Sequence, residues 1–137
     1  MNETDLQTHV VNYIRMQYPK ARYCASLGGI RTSISQARKA KKTGYWAGFP
    51  DLQITEPNHN YHGLFIDIKT ETGRATKSQK EWIKALNERG YKAVICKGFE
   101  ECKNEIDNYY NLKKSGIINE TEIFIQNYIN LISKTKS

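Results

Sequence analysis

The sequence predicts an α/β fold, with helices flanking a mixed sheet, because stretches of helical and strand-like hydrophobic spacing alternate along the chain. The predicted order is helix, strand, helix, strand, strand, helix, strand and helix, followed by one further amphipathic helix. The length of 137 residues is that of one domain with one core.

The elements of the first half begin at residues with clear local signals. They are a helix over 3–18, a short strand over 21–27 that leads into a turn at Gly28–Gly29, and a basic helix over 33–44. Leu6, Val10 and Ile14 give the first helix an apolar stripe. Ser33 and Gln36 have the spacing of a capping box, which predicts the start of the basic helix.

The second half predicts a hairpin and then a strand between two helices. The hairpin strands are 51–55 and 63–69, the next helix is 76–90, and a strand over 91–96 and a helix over 98–112 follow. The last helix, 117–133, has an apolar face made of Ile125, Tyr128, Ile129 and Ile132. That face either caps the core or forms part of a dimer contact, and the sequence leaves both alternatives open.

The net charge of +7 is concentrated in one third of the chain. Between Leu6 and Pro50 there is no acidic residue, whereas acids and bases nearly balance from Asp51 onward. The bases of this segment are Arg15, Lys20, Arg22, Arg31, Arg38, Lys39, Lys41 and Lys42. Such a one-sided distribution is typical of a surface that binds a polyanion, and the alternative is a solvated face without a partner.

Cysteine usage and hydropathy indicate an intracellular protein that is not secreted. The three cysteines are odd in number and lack CxxC spacing, so we expect reduced thiols. We expect no membrane partner, because no apolar run approaches the roughly 20 residues that span a bilayer. The beginning of the chain lacks the basic and apolar regions of a signal peptide.

Two aspartates and a lysine in the hairpin are the first candidates for catalysis. Strand alternation places Asp67 and Lys69 on the same face, and antiparallel pairing can place Asp51 opposite Asp67. The Cα atoms of residues paired in this way are about 4.5 to 5.5 Å apart. Two carboxylates that close repel by about 4 kcal/mol at an effective dielectric near 20, and a bound Mg²⁺ reverses that penalty. We therefore predict that the two aspartates bind the metal and that Lys69 holds or activates a water. The alternative is that Asp51 caps a turn after Pro50 and Asp67 pairs only with Lys69.

Glu3 and Gln79 are weaker candidates with structural alternatives. Glu3 heads the apolar stripe of the first helix and is a possible third acid at the metal, but an acid at a helix start also suits the helix dipole. Gln79 completes a capping box with Thr76, which alone explains it. A competing box formed by Ser78 and Glu81 would instead leave Gln79 to face the site.

The aromatic and histidine residues allow further interpretations. Trp46 and Phe49, in the segment "GYWAGF", either stack on bases or pack beneath their loop. His59 and His62 have a spacing that could suit a metal, but a solvated hairpin loop is the favoured interpretation. We expect His9 to lie on the plain surface of the first helix.

Several ordered motifs resemble the VRR-NUC branch of the PD-(D/E)xK nucleases. The segment "GYWAGFPDLQI" is followed by "GLFIDIKTETGRATKSQKEWIKALNERGYKAVIC", and "ETDLQ" and "LGGIRT" are similar to the family's upstream segments. The resemblance extends from about Glu3 to Tyr110. It implies a restriction-endonuclease-like fold for a nuclease domain over 1–113, followed by a C-terminal helical extension over 114–137.

The resemblance also implies a function and its residues. It implies Mg²⁺- or Mn²⁺-dependent cleavage of phosphodiester bonds, with Asp51, Asp67 and the carbonyl of Ile68 as ligands, Lys69 at the nucleophilic water, and Gln79 and Glu3 in supporting roles. The residues expected to bind DNA are Arg31, Arg38, Lys39, Lys41, Lys42 and Arg74. Asp67 stands where the family often has Glu, which shortens the reach of this ligand.

Standalone members of this size look like homodimers that cut branched DNA such as Holliday junctions. They often come from phages and viruses, which would place the protein inside a host cell. The alternatives are a non-catalytic nucleic-acid-binding protein, and a flap or single-strand nuclease of the same fold.

Overall fold

The computed structural model describes residues 1–26, 33–110 and 120–135. Its elements follow the predicted order: α1 (Glu3–Gln17), β1 (Tyr23–Ala25), α2 (Ile34–Lys42), β2 (Leu52–Ile54), β3 (Leu64–Lys69), α3 (Lys77–Glu88), β4 (Lys92–Lys97), α4 (Gly98–Tyr110) and α5 (Glu120–Thr135). The α/β class is confirmed. The predicted turn at Gly28–Gly29, residue Arg31 and the proposed domain boundary after residue 113 lie outside the described residues.

The chain divides into two compact units. A helical unit contains Met1–Ala21, Ile68–Gly73 and Cys96–Ser137, and a sheet unit contains Arg22–Asp67 and Arg74–Ile95. The division passes through β3 and β4, so each of these strands contributes residues to both units.

The four strands form one mixed sheet in the order β1-β2-β3-β4. Strand β2 pairs antiparallel with β1 and with β3, and Leu52 lies opposite Ile66 in the second pair. Continuing this register by one residue brings Asp51 opposite Asp67, as the hairpin pattern predicts. The loop of the hairpin is at the other end of these strands, so the acid pair lies at the open end of the hairpin.

A cluster of aromatic and aliphatic side chains covers one face of β3 in the sheet unit. Phe65 is buried with Leu86 and Ala93, and the partly buried residues Phe49, Trp82, Ile83 and Tyr91 pack against them. Because Leu64 and Ile66 on the other face are also fully buried, β3 is covered on both sides. This double burial explains how Asp67, in the middle of the strand, comes to be inaccessible to water.

The helical unit is built on contacts of α1 with α4 and α5. The hydroxyls of Tyr13 and Tyr18 both donate to Asp107 Oδ1 at 2.6 Å, and Lys103 Nζ lies 3.0 Å from the other oxygen. Burial, followed by the hydrogen bond to Asp107, raises the pKa of both tyrosines well above the ordinary value. These hydroxyls therefore remain protonated donors at neutral pH and join α1 and the residue after it to α4.

Helix α5 packs its predicted apolar face inward within the helical unit. Ile125, Ile129 and Ile132 are buried. Tyr128 forms hydrogen bonds with His9 at 2.6 Å and Asn12 at 3.2 Å. The core-capping alternative is thus confirmed for this face, and the expectation that His9 lies on plain helix surface is wrong, because the ring is half-buried against α5.

Two further observations concern the state of the cysteines and the hydropathy of the helices. Cys24, Cys96 and Cys102 are free thiols. The hydrogen bond with Cys102, and then burial, raise the pKa of Cys96 far above that of an ordinary thiol, which makes it a poor nucleophile. No helix formed by the described residues has the length and apolar character needed to cross a membrane.

Candidate active site

Asp51 and Asp67 form the acidic part of the site, at the open end of the hairpin in the sheet unit. Asp67 is fully buried and Asp51 is half-buried after the buried Pro50. The carbonyl of Asp51 accepts a hydrogen bond from Ser26 N at 2.8 Å, which extends the pairing of β1 with β2 up to this residue. Because β2 pairs with β1 and with β3, the backbone position of Asp51 is fixed, and with it the point from which its side chain extends.

Gln79 contacts Asp67 while also capping α3. Its Oε1 accepts a hydrogen bond from Thr76 N at 2.8 Å, and Thr76 Oγ1 accepts one from Gln79 N at 3.2 Å. The Nε2 atom of the same side chain donates to Asp67 Oδ1 at 3.5 Å. The predicted Thr76–Gln79 box is therefore confirmed, and the competing Ser78–Glu81 box is wrong, because Thr76 is the N-cap of α3. Gln79 nevertheless reaches Asp67, because the amide uses its oxygen for the cap and its nitrogen for the aspartate.

The donor set at the acid pair suits a hard divalent cation. It consists of carboxylate oxygens, and a carboxylate in a buried, low-dielectric place is stabilised most by a positive charge nearby. Within residues 1–26, 33–110 and 120–135, no group of three or more His, Cys, Asp or Glu side chains is placed to hold a metal. The residues that could hold a metal here are therefore Asp51 and Asp67, and carboxylate oxygens are ligands that hard divalent cations accept.

Lys69 and Glu3 contact each other in the helical unit. Lys69 is buried at the end of β3, and its Nζ lies 3.6 Å from Glu3 Oε1. Glu3 is in the first turn of α1, whose N-cap is Asn2, so it satisfies the helix-start interpretation and also reaches inward to the lysine. The Glu3 side chain is about half exposed, so the pair adds little stability but restricts where the Lys69 ammonium can lie.

Helix α2 is the basic element predicted to bind phosphates. All nine of its residues are described, none is buried, and its capping box between Ser33 and Gln36 is present. Its exposed bases are Arg38, Lys39, Lys41 and Lys42. Arg74 is exposed between β3 and α3. The structure thus leaves these five cations accessible, and it does not bear on Arg31.

The loop between α2 and β2 carries Trp46 and Phe49, for which the sequence left base stacking and packing beneath the loop as alternatives. The structure places these two aromatic residues in different surroundings. Phe49 packs into the cluster, edge to face against Phe65 and Trp82. Trp46 is 71% exposed and touches Trp82 through a T-shaped contact. Gly48 has a φ of +95° and lies close to the backbone of Ser78. A Cβ atom added to Gly48 would be 2.6 Å from the carbonyl carbon of Ser78. A glycine directly before "FPD" was the available signal for this close approach.

Comparisons with known proteins agree with the fold. A family model described as VRR-NUC domain matches residues 2–100, which include every predicted site residue. A solved structure titled "VRR_NUC domain protein" is 34% identical with a TM-score of 0.71, and the match covers 87% of this chain and 97% of that one. Comparison with curated proteins gives no match.

Proposed function

Because the chain belongs to the VRR-NUC family, which is of nuclease type and generally depends on divalent metals, we propose a specific activity. The protein is a Mg²⁺- or Mn²⁺-dependent endonuclease that hydrolyses phosphodiester bonds of branched DNA, such as Holliday junctions, as a homodimer. The observation that carries this proposal is the buried Asp67 opposite Asp51 with the Gln79 amide against it.

Asp51 and Asp67 would hold the metal, with the carbonyl of Ile68 as a further oxygen ligand. When bound, the metal supplies charge neutralisation at the scissile phosphate and a water of lowered pKa. Gln79 supports this role by orienting the Asp67 carboxylate, since one of its oxygens accepts the Nε2 hydrogen bond. Because the side chain of Gln79 is a neutral amide, it is not a further anionic ligand that would compete with the two carboxylates for the metal.

Lys69 would position the attacking water. It is two residues from Asp67 on one strand and therefore about 6–7 Å away along the same face. Its ammonium donates hydrogen bonds and accepts none, so it orients a water through the oxygen lone pair and stabilises the hydroxide that forms. The 3.6 Å contact with Glu3 supports this role, because it keeps a flexible side chain in one place.

The exposed cations would seat the DNA backbone without reading its sequence. Phosphate contacts from Lys and Arg supply most sequence-independent affinity. Helix α2 carries four such residues and no acid, which supports a role in holding DNA of any sequence.

The exposed side of α5 supports a dimer. Ile123, Phe124 and Leu131 are 50–64% exposed on the helix whose other face is buried. Apolar side chains on the outer face of a helix suit burial against a second copy of the same helix.

The direct test incubates the purified protein with labelled four-way junction, flap, duplex and single-stranded DNA in Mg²⁺, Mn²⁺ or EDTA. We expect metal-dependent cuts within the four-way junction and no cuts in EDTA. Asp51→Asn should abolish cleavage with retained DNA binding, and Asp5→Asn, an exposed acid of α1, is the matched control. Light scattering should give the mass of a dimer. Binding without cleavage in either metal would favour the non-catalytic alternative.

A further inference from the structure

Trp46 is an exposed aromatic side chain that neither the acid pair nor the core uses. It is 71% exposed, and the adjacent Tyr45 is 39% exposed. A T-shaped contact covers an edge or one face of a ring, so at least one broad face of the Trp46 indole is open to solvent. The ring therefore offers a broad π surface on which a planar ligand can stack.

The loop that carries Trp46 is held firmly within the sheet unit. Gly48 approaches the backbone of Ser78 too closely to allow any side chain, and its positive φ also favours glycine. Phe49, one residue later, is fixed in the aromatic cluster, and the Trp46 ring rests against Trp82 at a centroid distance of 5.2 Å. The indole is therefore preorganised, which lowers the entropy lost when a ligand stacks on it.

The chemical surroundings of Trp46 select the ligand. The loop directly follows α2, whose Arg38, Lys39, Lys41 and Lys42 are exposed and accompanied by no acid. A nine-residue helix without a buried residue is marginal by itself and gains from a partner of opposite charge. A cationic track beside an aromatic platform is the combination that binds single-stranded nucleic acid, with phosphates on the cations and a base on the ring.

From these observations we infer that Trp46 stacks on an unpaired base of the DNA substrate, close to the bond that is cut. Asp51 is five positions after Trp46, so their Cα atoms are at most about 18 Å apart, or about five base steps of DNA. A continuous duplex offers no open base face along its length, whereas a branch point, flap or single strand does. The inference rests on the proposed function and adds that unstacked bases are part of what the enzyme recognises.

The test is a double-mutant cycle, in which removal of the Trp46 ring is combined with removal of the base from the DNA. Affinities are measured in EDTA, by anisotropy, for a labelled single strand, the same strand with abasic nucleotides, and a blunt duplex. Trp46→Ala should weaken single-strand binding about 5- to 150-fold, the range for loss of one stacked base. The loss should shrink several-fold on the abasic strand and be much smaller on the duplex. Trp46→Phe should retain most of the affinity, and Trp46→Leu should lose it.

Tyr61→Ala is the control, because this half-buried aromatic residue is in the loop at the opposite end of the hairpin from the acid pair. Equal losses for Trp46→Ala on strand, abasic strand and duplex would overturn the inference, as would affinity fully retained by Trp46→Leu, which would indicate a purely apolar protein contact. Because binding is measured without metal, failure of this inference can be distinguished from failure of the proposed activity. Tryptophan-dependent base binding without cleavage in Mg²⁺ or Mn²⁺ rejects only the proposed activity, and cleavage without tryptophan dependence rejects only this inference.

Discussion

Gln79 joins the start of a helix to the buried carboxylate of Asp67. The oxygen of its side chain closes the capping box of α3 with Thr76, and the nitrogen lies 3.5 Å from Asp67 Oδ1. The position of the aspartate therefore depends on the beginning of α3. Since Ser78 in the same turn contacts Gly48, the helix start also fixes the loop that precedes Asp51.

Gln79→Glu separates the two tasks of this side chain. A glutamate caps as well as a glutamine, but it donates no hydrogen bond and places a second negative charge beside Asp67. We expect at least 10-fold slower cleavage with a melting temperature within a few degrees of the wild type. Gln126→Glu is the control, because it makes the same substitution at an exposed glutamine of α5. Unchanged cleavage in Gln79→Glu would show that the amide nitrogen is irrelevant.

Lys69→Met tests the charge at the end of β3. Methionine has a similar length and needs no partner when buried, so stability should hold, while cleavage should fall about 10²- to 10⁴-fold. The measurement is a single-turnover rate. A rate close to that of the wild type would remove Lys69 from the mechanism.

Glu3→Gln tests whether the acid positions Lys69 or binds metal. From the 3.6 Å contact we expect about 10-fold slower cleavage at an unchanged half-saturating metal concentration. Asp5→Asn in the same turn should behave as the wild type. A metal requirement raised 10-fold or more would instead assign Glu3 as a ligand.

The salt dependence of binding should identify the phosphate contacts of α2. Each lost contact lowers the slope of log affinity against log salt by about 0.9 on duplex DNA, so Lys41→Gln with Lys42→Gln should lower it by up to about 1.8. The matched pair is Lys97→Gln with Lys134→Gln, exposed lysines of the helical unit, which should leave the slope as it is. Equal slopes for the two pairs would contradict a special role of α2.

The tyrosine network predicts how stability depends on alkaline pH. The folded pKa values of Tyr13 and Tyr18 are raised above the unfolded value of about 10, so their contribution is complete below that pH and is lost as the pH rises beyond it. Replacing both with Phe should cost about 1–3 kcal/mol at pH 7 and flatten the decline above pH 10, measured by urea unfolding. Tyr45→Phe, an exposed tyrosine, is the control. An unaltered decline in the double variant would contradict this account.

Local signals predicted most of the fold. Both capping boxes, the order of elements and the hairpin register follow from residue spacing, since each depends on neighbours in sequence or across one short loop. The prediction that pairing can place Asp51 opposite Asp67 agrees with the register of Leu52 opposite Ile66, and hydrophobic alternation explains why Leu52 and Ile54 are buried.

Features that depend on tertiary packing could not be predicted. Burial of Asp67 requires α3 and Phe49 to cover the second face of β3, which no local pattern encodes. The choice between packing and exposure for Trp46 depended on where Trp82 lies. The two roles of Gln79 were taken as alternatives because spacing alone does not show that an amide can use both of its ends.

Metal-linked stability tests the central claim, that a divalent cation relieves the repulsion between Asp51 and Asp67, most directly. Melting temperatures are measured in EDTA and across a Mn²⁺ titration for the wild type, Asp51→Asn and Asp5→Asn. The account predicts stabilisation of the wild type and Asp5→Asn, by about 2.7 kcal/mol at 100 times the dissociation constant, and none for Asp51→Asn. Equal stabilisation of all three proteins, or of none, would contradict it.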